Sequence, residues 1–102
     1  MRLAASNLPA DAVTALYTVP PGLRAVFTVS LCNRSTSLVK VRLALTDGGA
    51  PQDADWLEYD QALAASGVLE RTGLALAEGQ TVYCAAGGPD VSAVAFGVAE
   101  VI

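Results

Sequence analysis

From Leu23 onward the chain alternates: Leu23, Ala25, Phe27, Val29 and Leu31 fall on one side of an extended backbone, and Arg24, Val26, Thr28, Ser30 and Cys32 on the other. A repeat of two buries one face of a strand and does not fit the 3.6-residue repeat of a helix. Val39, Val41, Leu43 and Leu45 continue the theme opposite Lys40 and Arg42, after the polar run Asn33-Arg34-Ser35-Thr36-Ser37. Two such runs around a short polar turn predict an antiparallel hairpin.

Turn signals recur about every ten residues along the rest of the chain, the spacing expected of an all-β domain. Pro20-Pro21-Gly22 closes a strand over residues 12–19, because proline presets φ and glycine accepts a positive one. Residues 47–53 form the longest loop. Residues 56–60 (WLEYD) read as a short strand with Trp56, Glu58 and Asp60 on one side and Leu57 and Tyr59 on the other. Residues 61–66 read as a helical turn or a loop closed by Gly67, and residues 68–72 as a strand ending in the Glu70-Arg71 pair. Leu74 and Leu76 anchor a segment that turns at residues 77–80 into a strand through Tyr83. After the turn at residues 86–90, Val94, Phe96 and Val98 alternate with small residues. Seven or eight short strands predict an all-β antiparallel sandwich, jelly-roll-like, as one domain over residues 11–102. Residues 1–10 carry no strong pattern and are expected to extend as an N-terminal arm onto a neighbouring subunit.

Composition adds a constraint. Residues of the apolar class make up 53% of the 102-residue chain and charged residues only 16%, against about 25% charged in an ordinary soluble domain. A domain this small buries only about 60–65% of the surface its unfolded chain exposes. Apolar surface is therefore left over, and large exposed apolar patches mark contact sites. Self-association, or burial in a larger assembly, is the expected outcome. Net charge is −4 and the six cations are scattered, with only Lys40 and Arg42 close together; nucleic acid, which demands clustered cations, is not expected as a partner. No apolar run approaches the ~18 residues of a membrane span, and Asn7 and Pro9 interrupt any signal-peptide-like start. The expectation is synthesis and retention in the cytoplasm until assembly, with no membrane partner.

The chemistry of catalysis is thinly represented. The chain contains no histidine, the commonest general base and metal ligand. No P-loop, GxGxxG or GxSxG motif is present. Cys32 and Cys84 are far apart and lie in no CxxC arrangement; two cysteines without histidine do not make a structural zinc site. Neither an enzyme nor a cofactor is expected. Asp53, Asp55, Glu58 and Asp60 cluster in sequence with Asp47 nearby, and such groups serve calcium binding or glycoside hydrolysis in other settings. The spacing does not match an EF-hand loop, and a solvated acidic loop is the plainer reading. Trp56 and Tyr59 beside it suit either a sugar-stacking platform or a contact anchor. Trp56, Tyr59, Asp53, Asp55 and Arg71 are thus the candidate interface or surface-loop contacts.

Several segments, taken in order, resemble a group of small bacteriophage virion proteins encoded among head and tail structural genes. They are residues 16–22 (LYTVPPG), 32–35 (CNRS), 41–44 (VRLA), 54–60 (ADWLEYD) and 67–73 (GVLERTG). Residues 74–83 are similar to the late hairpin of compact trimeric jelly rolls. The resemblance implies a structural module of the virion, assembled in many copies in the host cytoplasm. Its partners would be itself, as a homotrimer, and other virion proteins such as the major capsid protein. A decoration or cement protein on the outer head surface is the first reading. A tail, collar or fibre-attachment component, or a carbohydrate- or receptor-binding β-sandwich, is the alternative.

Overall fold

A computed structural model describes all 102 residues and shows an all-β protein. The strands are β1 (Arg2–Leu8), β2 (Thr14–Thr18), β3 (Leu23–Asn33), β4 (Val39–Thr46), β5 (Trp56–Leu63), β6 (Val68–Leu76), β7 (Thr81–Ala86) and β8 (Val91–Val101). They form two four-stranded antiparallel sheets ordered β1-β8-β3-β6 and β2-β7-β4-β5. Strands alternate between the sheets along the chain, except that β4 and β5 pair directly. This wrapped order of two facing sheets is the jelly roll. The only helical element is a 3-10 turn at Asp53–Asp55, and no helix is long and apolar enough to cross a membrane.

In β3 and β4 the core is the set of inward positions that the alternation marks, whereas in β8 the small Ala93 and Ala95 face inward and Val94, Phe96 and Val98 lie on the outer side. Ala25, Phe27, Val29 and Leu31 from β3 face Val41 and Leu43 from β4, with Leu74, Leu76, Val82, Cys84, Val91, Ala93 and Ala95 closing the cluster. The inward face of each strand is buried against the other sheet, and this burial holds the sandwich together.

The expected β3–β4 hairpin does not form. β3 pairs with β6 and β8, whereas β4 pairs with β5 and β7. Asn33 explains why the chain leaves one sheet for the other. It is fully buried, and its Nδ2 donates to the carbonyls of Ser37 (2.8 Å), Leu63 (3.0 Å) and Ala64 (3.1 Å), one proton being shared. Its Oδ1 accepts from the Ser35 amide and hydroxyl. One side chain thus turns the 33–38 connection and ties it to the end of β5. The residues 74–83 segment is likewise not a hairpin, because β6 and β7 lie in different sheets.

The first ten residues do not reach away from the domain. Residues 2–8 form β1, an edge strand paired with β8, and Leu8 is buried in the core. Its inward apolar residue and the free edge of β8 make self-docking the nearest way to satisfy both backbone and side chains. Residues 61–63, expected as a helical turn or loop, extend β5, whose buried Leu63 packs in the core.

The two cysteines are free. Cys32 faces outward on the first sheet, while Cys84 points into the core, where burial pushes its thiol up to about 12. We predict that a disulfide-exchange reagent at pH 8 modifies Cys84 only at the rate of global unfolding. Modification of both thiols at one fast rate in the folded protein would show this placement to be wrong.

Candidate functional site

The strand β5 does not keep its alternation. Opposite β4, Val41 pairs with Gln61, Leu43 with Glu58, and Ala44 with Trp56, so β5 carries an extra residue at each step. Asp60 takes φ +54°, the left-handed conformation that lets a strand bulge. These bulges turn Tyr59 and Asp60 together toward Arg42 of β4, which corrects the expected assignment of Tyr59 to the opposite side from Asp60.

The result is a compact cluster on the outer face of the second sheet. Arg42 donates from Nε (2.7 Å) and Nη2 (3.2 Å) to the two Asp60 oxygens. Its guanidinium lies 4.0 Å from the Tyr59 ring centroid and 5.9 Å from that of Trp56. The two rings meet edge to face at 5.4 Å and 73°. The Asp60 hydrogen bond raises Arg42 above its ordinary value, and the same bond from Arg42 holds Asp60 below the usual carboxylate range. A carboxylate depressed on folding contributes while pH stays above its unfolded value and is lost as pH falls through the folded one. The environment of Trp56 and Tyr59 is therefore expected to stay constant from neutrality down to the ordinary carboxylate range and to change only below it. Tyrosine ring NMR signals against pH check this, and a midpoint above pH 5 would contradict it.

The acidic cluster seen in the sequence is dispersed by the fold. Asp55 turns back to accept from the Gln52 amide (2.8 Å) and closes its own loop. Glu58 leaves its neighbours to accept from Arg71 (2.8 Å) across the gap between β5 and β6. Asp60 is taken by Arg42, and Asp47 accepts from Gln80. Only Asp53 stays beside Trp56 and Tyr59, lining a hollow of about 280 Å³ with them. No three carboxylates or thiols meet in a group that would hold a metal ion.

Arg71 is also placed differently from expectation. The anticipated Glu70-Arg71 pair does not form, because neighbouring residues of a strand point to opposite faces; the extra residue of β6 at Gly73, φ +70°, sets Arg71 opposite the buried Val29. Arg71 therefore faces inward at the sheet edge, toward Glu58 of the other sheet. The bridge is partly exposed, so its contribution is small, roughly 0–1 kcal/mol. It links the edge strands β5 and β6 of the two sheets.

Beside Arg42 a groove of about 530 Å³ runs along the same face, with Lys40, Asp11, Val13 and Leu38 on its sides and Ala85 and Gly87 in its floor. Ala44 and Ala85 are buried yet stand outside the core cluster. Their register neighbours are Tyr83, Trp56 and Arg42. Small residues thus form a floor, with rings and cations above it. In the sequence Arg42 reads only as the polar side of a strand; the one signal of its role is an aspartate inside a strand, a residue that strands disfavour.

The opposite outer face has another character. Val26 and Val98 pair directly across β3 and β8 and are 55% and 58% exposed. Thr28 pairs with Phe96 and Ser30 with Val94, while Cys32 lies against the 56%-exposed Val68 of β6. Between the Arg24–Glu100 ion pair at one end (3.0 Å) and Arg34 at the other, the two central strands carry no charge. A solvated face of an antiparallel sheet is ordinarily polar. Comparison with known protein families, curated proteins and solved structures finds no match to this chain.

Proposed function

We propose that this protein is a non-enzymatic structural module of a bacteriophage particle, most simply a head decoration or cement protein that binds its own copies and the major capsid protein. The observation that carries the reading is the uncharged central strip, β3 and β8, of the outer face of the β1-β8-β3-β6 sheet, with charge only toward its margins, at Arg2 of β1 and Glu70 of β6. Strands of eleven residues at about 3.3 Å per residue, in a sheet of four with about 4.8 Å spacing, offer roughly 600 Å² per copy. Stable interfaces begin at about that size per partner. The jelly roll suits the role because the wrapped sheets leave broad faces for contact. Repetition on a lattice then adds weak contacts through effective concentration.

The absence of histidine and the dispersal of the carboxylates favour a module without catalytic chemistry. Sedimentation tests the self-association. The wild-type chain is expected at three times its 10.4 kDa, and V26K combined with V98K is expected to sediment as a folded monomer. A wild-type chain that stays monomeric at millimolar concentration would overturn the assembly. Mass spectrometry of purified phage particles from the source culture tests the virion assignment, and a particle without this chain would refute it.

A further inference from the structure

We propose that the outer face of the β2-β7-β4-β5 sheet binds a neutral saccharide, stacked on Trp56 and Tyr59 and hydrogen-bonded by Arg42, Lys40 and the carboxylates beside them. This site lies on the sheet opposite the apolar face and does not depend on the assembly reading.

A sugar ring presents apolar C–H faces and a rim of hydroxyls that both donate and accept. Its recognition needs aromatic faces, polar groups still free to bond, and an open groove of ligand size. All three meet here. Trp56 and Tyr59 stand at 73° to each other and form a corner closed by Asp53. Arg42 is fixed by Asp60 and by stacking, yet uses only two of its five donor hydrogens. Lys40 makes no ion pair, and the Asp53 and Asp11 carboxylates accept no hydrogen bond from the protein, so each is free for a hydroxyl. The groove of about 530 Å³ begins at Arg42 and Asp60, beside the hollow that Trp56, Tyr59 and Asp53 line, and runs past Ala85 to Lys40 and Asp11, within the range of about 300–1,000 Å³ for ligand sites.

Charge selects the class of ligand. Lys40 and Arg42 stand against Asp11, Asp53 and Asp60, and the whole chain is at −4. A polyanion would find no surplus of cations to release its counterions. An apolar ligand would strip water from charged groups without replacing their hydrogen bonds. A neutral polyhydroxyl compound satisfies both signs at once. The preset Arg42–Asp60 pair lowers the cost of ordering the site.

Trp56 is the sole tryptophan, so its emission reports binding directly. The test titrates the full chain with maltohexaose, cellohexaose, laminarihexaose and hexa-N-acetylchitohexaose, and with polygalacturonate as the anionic arm. At least one neutral oligomer is expected to saturate with a shift in emission. By calorimetry W56A and K40A are expected to weaken that oligomer tenfold or more, with unchanged circular dichroism, while E78Q in the turn at residues 77–80, where a glutamine oxygen can still accept from the Gly22 amide, leaves affinity intact. No saturation by any of the four neutral oligomers at tens of millimolar would overturn the site. So would binding of polygalacturonate alone, or wild-type affinity in both W56A and K40A.

Discussion

Replacing Asn33 by aspartate is expected to remove a large part of the protein's folding stability. The Nδ2 group holds three carbonyl oxygens, at 2.8, 3.0 and 3.1 Å, in a site with no access to water. A carboxylate there offers no donor and sets a negative charge against those oxygens. Removing the donor from buried acceptors costs about 1–3 kcal/mol for each group left unpaired, and more where a charge is buried. The total, about 4 kcal/mol or more, is comparable with the 5–15 kcal/mol that holds a domain of this size. Asn33→Ala removes the same bonds without the charge, and its expected loss is smaller, about 3 kcal/mol. Urea unfolding followed by Trp56 fluorescence ranks the three proteins. If N33D kept the wild-type midpoint, Asn33 would not be the residue that turns the chain from one sheet into the other.

The second large effect is at Gly97. It lies in β8 directly opposite Phe27 of β3. An added Cβ would run into the Val26 carbonyl oxygen and sit 2.6 Å from the Phe27 Cα. Backbone is on the receiving side of that clash, so no rotamer change relieves it, and β3 and β8 must part at the centre of the sheet. Gly97→Ala is expected to cost about 3 kcal/mol, the upper part of the range for overpacking. Gly49 is the matched control: nothing lies within 4 Å of a Cβ placed there, so Gly49→Ala should stay within about 0.5 kcal/mol of wild type. Thermal melting of both variants side by side decides the matter, and equal melting temperatures would refute the close approach.

These two residues mark where reading along the chain stops being informative. Asn33 looks like one member of a polar turn, and a polar turn between two alternating strands ordinarily means a hairpin. Its actual partners, Leu63 and Ala64, are thirty residues away in sequence. Gly97 looks like a small residue in a strand rich in alanine. The need for it comes from a neighbouring backbone that no local pattern reveals.

The same holds for the candidate site. Trp56, Tyr59 and Asp53 stand out by type and clustering, and they do share a hollow. Arg42 does not stand out, because its partners come from a different strand and reach it only through the bulge at Asp60. Asp55, Glu58 and Asp60 looked like one acidic group. Each instead found a separate donor, since a carboxylate gains more from a nearby amide or guanidinium than from another carboxylate.

Local sequence determined that the chain forms strands, which residues of β3 and β4 point into the core, and where most turns fall. Those features depend on side-chain size and backbone freedom within a few residues, so alternation and the Pro-Pro-Gly and glycine turns are enough. Which strands pair, how the first segment docks beside β8, and where the bulges shift the register were decided only by the tertiary structure. Pairing depends on how two sheets share one core and how every exposed backbone edge finds a partner, and both are properties of the whole chain.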